Sequence, residues 1–290
     1  MAQDTENWQH QSVLTNGIRM HYVTLGSGPL IVLLHGFPEF WYSWRKQIPF
    51  LAELGYKVVA PDLRGYNETD KPRTGYDIPT LLRDIVGLIH ALDYQKAIII
   101  GHDWGGALAW MFAINYPQLT DRLVVMNAPH PGAMQRELKT WKQLSKSWYI
   151  FAFQLPFLPE YQLGRNHAKL IGTLIYEAAY QKDAFPPDVL ERYREAMSKP
   201  GALRGGINYY RELFKTQFSL FMGSRQIGII AAPTLLIWGE QDIALDIALT
   251  KDLDAWVPEL SIKYVPDSGH WVQQEKPELV NRYLADFLHK

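Results

Sequence analysis

One carboxylate stands at the centre of a glycine-flanked string, Gly101-His102-Asp103-Trp104-Gly105-Gly106, between an aliphatic run and a helical pattern. The form Gly-x-nucleophile-x-Gly suits a sharp strand-to-helix turn whose central residue sits in strained backbone geometry and projects from the tip. Strand and helix pass too close there for side chains at the flanking positions, which is where glycine is required. A free Asp titrates near ~3.9, so Asp103 is expected to be ionised at neutral pH without a helper. Such a group can attack carbon and form an ester. The amides that open the following helix lend it a positive surround. No Gly-x-Ser-x-Gly competes elsewhere in the chain.

Three further strings complete a reaction centre. His35-Gly36-Phe37-Pro38-Glu39 follows an aliphatic run directly, so a backbone N–H can face the nucleophile. The amides of Phe37 and Trp104 would then form an oxyanion hole. Asp267-Ser268-Gly269-His270-Trp271 puts a histidine in a loop after a late strand, the place for a general base. Trp238-Gly239-Glu240-Gln241-Asp242 follows another strand and offers an acid to orient that histidine. Asp242 is the chosen acid, with Glu240 and Asp246 as rivals on spacing. His35, His102 and His130 are expected to pack and hydrogen-bond rather than to react.

These residues need a scaffold that brings strand ends together. Ile18–Leu25 alternates like a strand; Leu30–Leu34, Lys57–Ala60, Ala97–Ile100, Leu123–Met126, Thr234–Trp238 and Ile262–Val265 read as buried strands. Continuous aliphatic character implies cover on both faces, as in a mostly parallel, doubly wound sheet. Helices are expected at about 43–53, 79–91, 106–116, 246–256 and 277–289. The alternation stops after Pro131 and resumes at Thr234, with helical patterns and proline breakers between. The expected organisation is an α/β core of 1–131 and 228–290 with a helical cap of 132–227 over the C-terminal strand edge, where open α/β sheets place their sites.

Composition narrows the function. The 290 residues include 29 Lys plus Arg against 30 Asp plus Glu, a net charge of −1. That balance gives no basic field for nucleic acid or anionic membranes. Cysteine is absent, which removes a thiol nucleophile, disulfides and Cys-ligated metal, and no His-Glu-x-x-His occurs. No cofactor and no metal are expected. Met1–Ser12 lacks a signal-peptide pattern, and the aliphatic runs fall far short of the ~20 residues that span a bilayer. A cytoplasmic protein, monomer or homodimer, is expected. With 10 Trp, 16 Tyr and 12 Phe the chain can line an apolar pocket, and Phe37, Trp104, Trp141, Trp148, Phe151 and Phe153 are candidates for its walls.

Together His35–Glu39 with Trp41-Tyr42-Ser43-Trp44, Asp62-Leu63-Arg64-Gly65-Tyr66, Gly101–Gly106 and Ser268–Trp271 carry a resemblance across nearly the whole chain. The sequence resembles α/β-hydrolase-fold epoxide hydrolases related to the soluble epoxide hydrolases. The resemblance implies Asp103 as nucleophile, His270 as base and Asp242 as orienting acid. It further implies two cap tyrosines that bind and protonate the epoxide oxygen. The matching strings are Tyr161-Gln162 and Asn208-Tyr209-Tyr210-Arg211, so the roles fall on Tyr161 and Tyr210, with Tyr209 facing elsewhere. The implied partners are a small apolar epoxide and water. Dehalogenases of haloalkanes or haloacetates share the Asp nucleophile and are the rival reading. Fluoroacetate dehalogenases carry arginines where Trp104 and Ala107 stand and place their acid where this chain has Asn127; haloalkane dehalogenases typically have Asn at the position of Phe37. A binder without catalysis is the remaining alternative.

Overall fold

The computed structural model describes residues 8–140, 146, 148–221 and 227–289. Eight strands run β1 (Gln9–Thr15), β2 (Ile18–Leu25), β3 (Leu30–Leu34), β4 (Lys57–Pro61), β5 (Ala97–His102), β6 (Thr120–Met126), β7 (Thr234–Gly239) and β8 (Leu260–Val265). They form one sheet in the order β1-β2-β4-β3-β5-β6-β7-β8. From β4 to β8 every neighbouring pair is parallel; β1 with β2 and β2 with β4 are antiparallel. The aliphatic strands β3 and β5 lie side by side at the centre and are buried throughout. Helices on both faces account for their unbroken apolar character.

Helices α1 (Gln47–Glu53), α2 (Ile78–Ala91) and α3 (Trp104–Asn115) follow β3, β4 and β5. Asp77 caps α2 by accepting from the Thr80 amide at 3.0 Å, and Pro79 sits in its first turn. Between β6 and β7 come α4 (Pro131–Glu137), α5 (Trp148–Ala152), α6 (Leu158–Ala178), α7 (Pro187–Ser198) and α8 (Ala202–Phe221), with no strand among the described residues. The helix α6 is interrupted at Arg165–Ala168, where Asn166, His167 and Ala168 take positive φ. The chain closes with α9 (Val272–Glu275) and α10 (Pro277–Leu288). Among the described residues no helix is long and apolar enough to cross a membrane.

Three expectations need correction. The stretch Gln9–Thr15, where no strand is expected, is an edge strand joined to β2 by an Asn16-Gly17 turn, both residues at positive φ. Most of its side chains face solvent, with Thr15 buried and Val13 partly so, and no apolar run marks it. The helix expected at 246–256 is only a short 3₁₀ turn, Ile247–Thr250, capped by Asp246; the apolar Leu253 and Val257 are buried by turns instead. Finally, β8 is the far edge strand and is partly exposed rather than buried.

Candidate active site

Asp103 occupies the turn between β5 and α3 at φ 51°, ψ −119°, outside the regions open to ordinary L-residues. Such a conformation costs on the order of 1–3 kcal/mol and persists because its surroundings enforce it. A Cβ on Gly105 would lie 2.0 Å from the Leu34 carbonyl oxygen, and one on Gly36 2.3 Å from Asp103 Oδ1. The glycines therefore let β3, its loop and α3 close around the carboxylate.

The Phe37 amide donates to Asp103 Oδ1 at 2.8 Å. Trp104 is the first residue of α3, so no carbonyl of its own helix can accept from its amide. Oδ2 faces His270 instead, with Nε2 3.6 Å away. The other ring nitrogen, Nδ1, bonds Asp242 Oδ2 at 2.7 Å. Asp242 is itself fixed: Oδ2 accepts from Asn127 Nδ2 at 2.7 Å, and Oδ1 from the amides of Ala244 and Leu245 at 2.8 and 2.9 Å. Of the rivals, Glu240 is exposed and Asp246 caps a turn.

Burial opposes charge on all three groups, and their mutual attraction outweighs it. Burial alone would raise Asp103; His270 and His102 with the Phe37 amide hold it below the usual carboxylate range. Burial would likewise raise Asp242, yet His270 and Asn127 hold it down. Burial would lower His270, but Asp242 and Asp103 hold it well above an ordinary imidazole.

Aromatic rings close the space beside Asp103. Tyr210 on α8 meets Trp104 at 5.0 Å between ring centres, Phe153 at 5.0 Å, Phe37 at 5.5 Å and Tyr149 of α5 at 5.8 Å. Burial pushes the Tyr210 phenol well above its usual pKa, and the charge of Asp103 adds to that. Tyr149 is pushed up by burial too, with Asp103 and Asp242 adding. Both phenols therefore keep their protons at neutral pH and can donate them.

A family model described as alpha/beta hydrolase fold matches residues 29–277. The chain is 39% identical to epoxide hydrolase 1 of Caenorhabditis elegans, covering 98% of this chain and 71% of that one. It is 41% identical to the AB hydrolase superfamily protein YfhM of Bacillus subtilis (strain 168), over 96% and 97% of the two chains. Among solved structures, a Bacillus megaterium epoxide hydrolase in complex with an inhibitor aligns with a TM-score of 0.90 at 32% identity, covering 97% of this chain and all of that one. The chain belongs to the epoxide hydrolase family of the α/β-hydrolase fold.

For a member of the epoxide hydrolase family, one expected side chain is misplaced. Tyr161 is 66% exposed, with the Arg165 guanidinium 5.9 Å from its ring centre. It points to solvent from the first turns of α6, so it cannot serve as a phenol of the site. The ring that faces Tyr210 is Tyr149, which motif matching missed. Its available signal was local: Tyr149 precedes Phe153 by four residues, one helical turn, and both rings touch Tyr210. Of the candidate pocket walls, Phe37, Trp104 and Phe153 join this cluster, whereas Trp148 and Phe151 are 67% and 52% exposed. Trp141 lies outside the described residues. Tyr209 turns to the core and donates to the Arg64 carbonyl at 2.9 Å, as the helical spacing required.

A buried polar network supports this epoxide hydrolase-family site from below. Glu39 Oε2 accepts from the Gly36 amide at 3.0 Å and bonds His102 Nδ1 at 2.8 Å. His102 Nε2 meets the His270 carbonyl at 2.8 Å. Glu39 Oε1 accepts from Gln273 and Gln274. Glu39 thereby ties the loop carrying the Phe37 amide to the loop carrying His270. His35 bonds the Leu63 amide at 3.0 Å and is wholly buried, a structural role. Among the described residues no group of three or more His, Asp or Glu side chains could hold a metal ion.

Proposed function

We propose that the chain hydrolyses small apolar epoxides to vicinal diols through an ester on Asp103. The observation that carries this reading is the meeting of two protonated phenols, Tyr149 and Tyr210, within the field of the same carboxylate. Opening an epoxide leaves a strongly basic alkoxide on carbon, which needs a proton donor, and a phenol that keeps its proton at neutral pH supplies one. A halide leaving group needs none.

The steps follow from which oxygen is held. Oδ1 is tied to the Phe37 amide, so Oδ2 is free to attack. Oδ2 bonds to an epoxide carbon, the C–O bond breaks with its electron pair on oxygen, and a phenol of Tyr149 or Tyr210 protonates that oxygen. Asp103 is now a neutral ester. His270 has lost one of the two negative charges that raised its pKa, so it gives up its proton and becomes a base. That proton replaces the one the phenol delivered. Water then adds to the ester carbonyl as Nε2 of His270 takes a proton from it. The oxyanion forms on Oδ1, facing the Phe37 and Trp104 amides. Its collapse breaks the bond from the carbonyl carbon to the former Oδ2, His270 returns the proton to the departing diol, and the carboxylic acid left on Asp103 passes its own proton to His270, which restores the ionised pair. Asp242 holds the ring and balances the imidazolium. Residues 132–227 act as a cap over a core of 1–131 and 228–290, and a cytoplasmic monomer or homodimer completes the reading.

A single turnover in ¹⁸O water tests it. The first diol should carry only light oxygen, because its new oxygen comes from Asp103, and the label should enter the protein. A labelled first diol would mean that water struck the ring directly. Parallel incubation with haloalkanes should release no halide at a comparable rate; preferential halide release would replace the epoxide reading with a dehalogenase.

A further inference from the structure

Tyr149 and Tyr210 sit on different helices, and one side chain joins them from behind. Arg211, next in sequence to Tyr210, spends its guanidinium on three segments. Nε donates to the Phe153 carbonyl at 3.0 Å and Nη2 to the Leu155 carbonyl at 2.9 Å. Nη1 and Nη2 grip Glu160 Oε1 and Oε2 at 2.6 and 3.1 Å, a two-pronged ion pair. Nη1 also lies 3.5 Å from Asn208 Oδ1.

The carbonyls it holds end the helix that carries Tyr149. The Phe153 amide donates to the Tyr149 carbonyl at 3.0 Å, so Arg211 grips the last turn of α5 one residue past its end. Gln154 reinforces the joint, with Nε2 2.9 Å from the Ile150 carbonyl and 3.4 Å from that of Tyr210. These bonds tie the turn Trp148–Ala152 to α8 from beyond its C-terminal end.

We propose that Arg211, locked by Glu160, is a positioning residue that sets the separation of the two phenols and so governs ring opening but not ester hydrolysis. Arg211 touches no reacting atom in this arrangement. A lysine cannot replace it, because a single ammonium cannot reach two carbonyls and two carboxylate oxygens in one plane. The proposal rests on the reading of Tyr149 and Tyr210 as the proton donors.

The test follows Asp103 ester formation and decay separately, by rapid quench and intact-protein mass spectrometry with an aryl epoxide. Arg211→Gln and Arg211→Lys should slow ester formation by about 10–100-fold, less than the ~10²–10⁴-fold of losing a positioned acid outright because both phenols remain, with ester decay within about twofold of the parent. Glu160→Ala, at a partly buried position, should give a smaller loss in formation alone, and Glu160→Gln should restore most of it. Equal slowing of both steps, or a lowered Tm with formation unchanged, would overturn the proposal and leave Arg211 a purely structural residue. Tyr149→Phe and Tyr210→Phe run alongside separate the two ideas. If neither slows formation, the phenol reading fails; if both do while Arg211→Gln and Glu160→Ala do not, only the clasp fails.

Discussion

His270 Nε2 stands 3.6 Å from Oδ2 of Asp103, outside hydrogen-bonding distance. A base that served Asp103 directly would be closer, and an ionised carboxylate has no proton to give. The gap suits a base that acts on water once Oδ2 has become part of an ester. His270→Gln should therefore form the ester and fail to clear it. Turnover should fall by about 10³-fold or more, and intact-protein mass spectrometry should show an addition equal to the whole epoxide. Turnover near the parental rate without an adduct would contradict this division of labour.

The two steps should answer differently to pH. In the proposed mechanism ring opening needs ionised Asp103 and protonated phenols. Asp103 is held below the usual carboxylate range and the phenols above the usual phenol range, so ester formation should stay level from about pH 5 to pH 9. Ester decay needs neutral His270. Turning Asp103 into an ester removes part of what raises that imidazole, so decay should rise with pH through a midpoint below that of His270 in the resting protein. Rapid-quench profiles of the two rates check this. A shared acid limb near neutrality in both would show that His270 takes part in ring opening.

The phenols themselves give a sharper contrast. Tyr149→Phe and Tyr210→Phe should each reduce ring opening by about 10–100-fold, because the partner phenol can still donate, and the double variant should reduce it much further. Tyr161→Phe should change neither step by more than about twofold, since its ring lies in solvent. Single-turnover rates with one aryl epoxide decide among these outcomes. A large loss in Tyr161→Phe would return that residue to the site.

The same contrast shows what sequence can and cannot reveal. The central strands are legible because β3 and β5 are covered on both faces and must be aliphatic. The turn at Asp103 is legible because its glycines answer a steric demand within a few residues, with the Leu34 carbonyl as the outside wall. β1 is hidden because an edge strand in solvent needs no apolar alternation. Leu253 and Val257 mimic a helix face although turns bury them. Tyr149 is hidden for a different reason. With 16 tyrosines in the chain, residue type selects nothing, and the clasp that brings α5 to α8 joins residues far apart in sequence. The string Tyr161-Gln162 matched a pattern, but a pattern of two residues does not fix which way a helix faces.

His130 supplies a stability prediction apart from the chemistry. It is 1% exposed, stacks on Trp256 at 4.9 Å between ring centres, and its Nδ1 accepts from the Gly132 amide at 3.2 Å to cap α4. Accepting at Nδ1 requires the neutral ring, and burial pushes its pKa down to about 4. The unfolded chain, with a free imidazole near about 6.5, takes up the proton first as pH falls. The unfolded state therefore binds more protons between about pH 6.5 and pH 4, and stability rises with pH across that window. His130 thus costs stability as acid is added: about 2 kcal/mol between pH 7 and pH 5, at about 1.4 kcal/mol per unit below the unfolded value. His130→Asn keeps an acceptor for the Gly132 amide but does not titrate. Urea unfolding at pH 7 and pH 5 should show the parent losing about 2 kcal/mol more than the Asn variant over that interval. Equal losses in the two proteins would mean that His130 takes up its proton in the folded state as readily as in the unfolded chain.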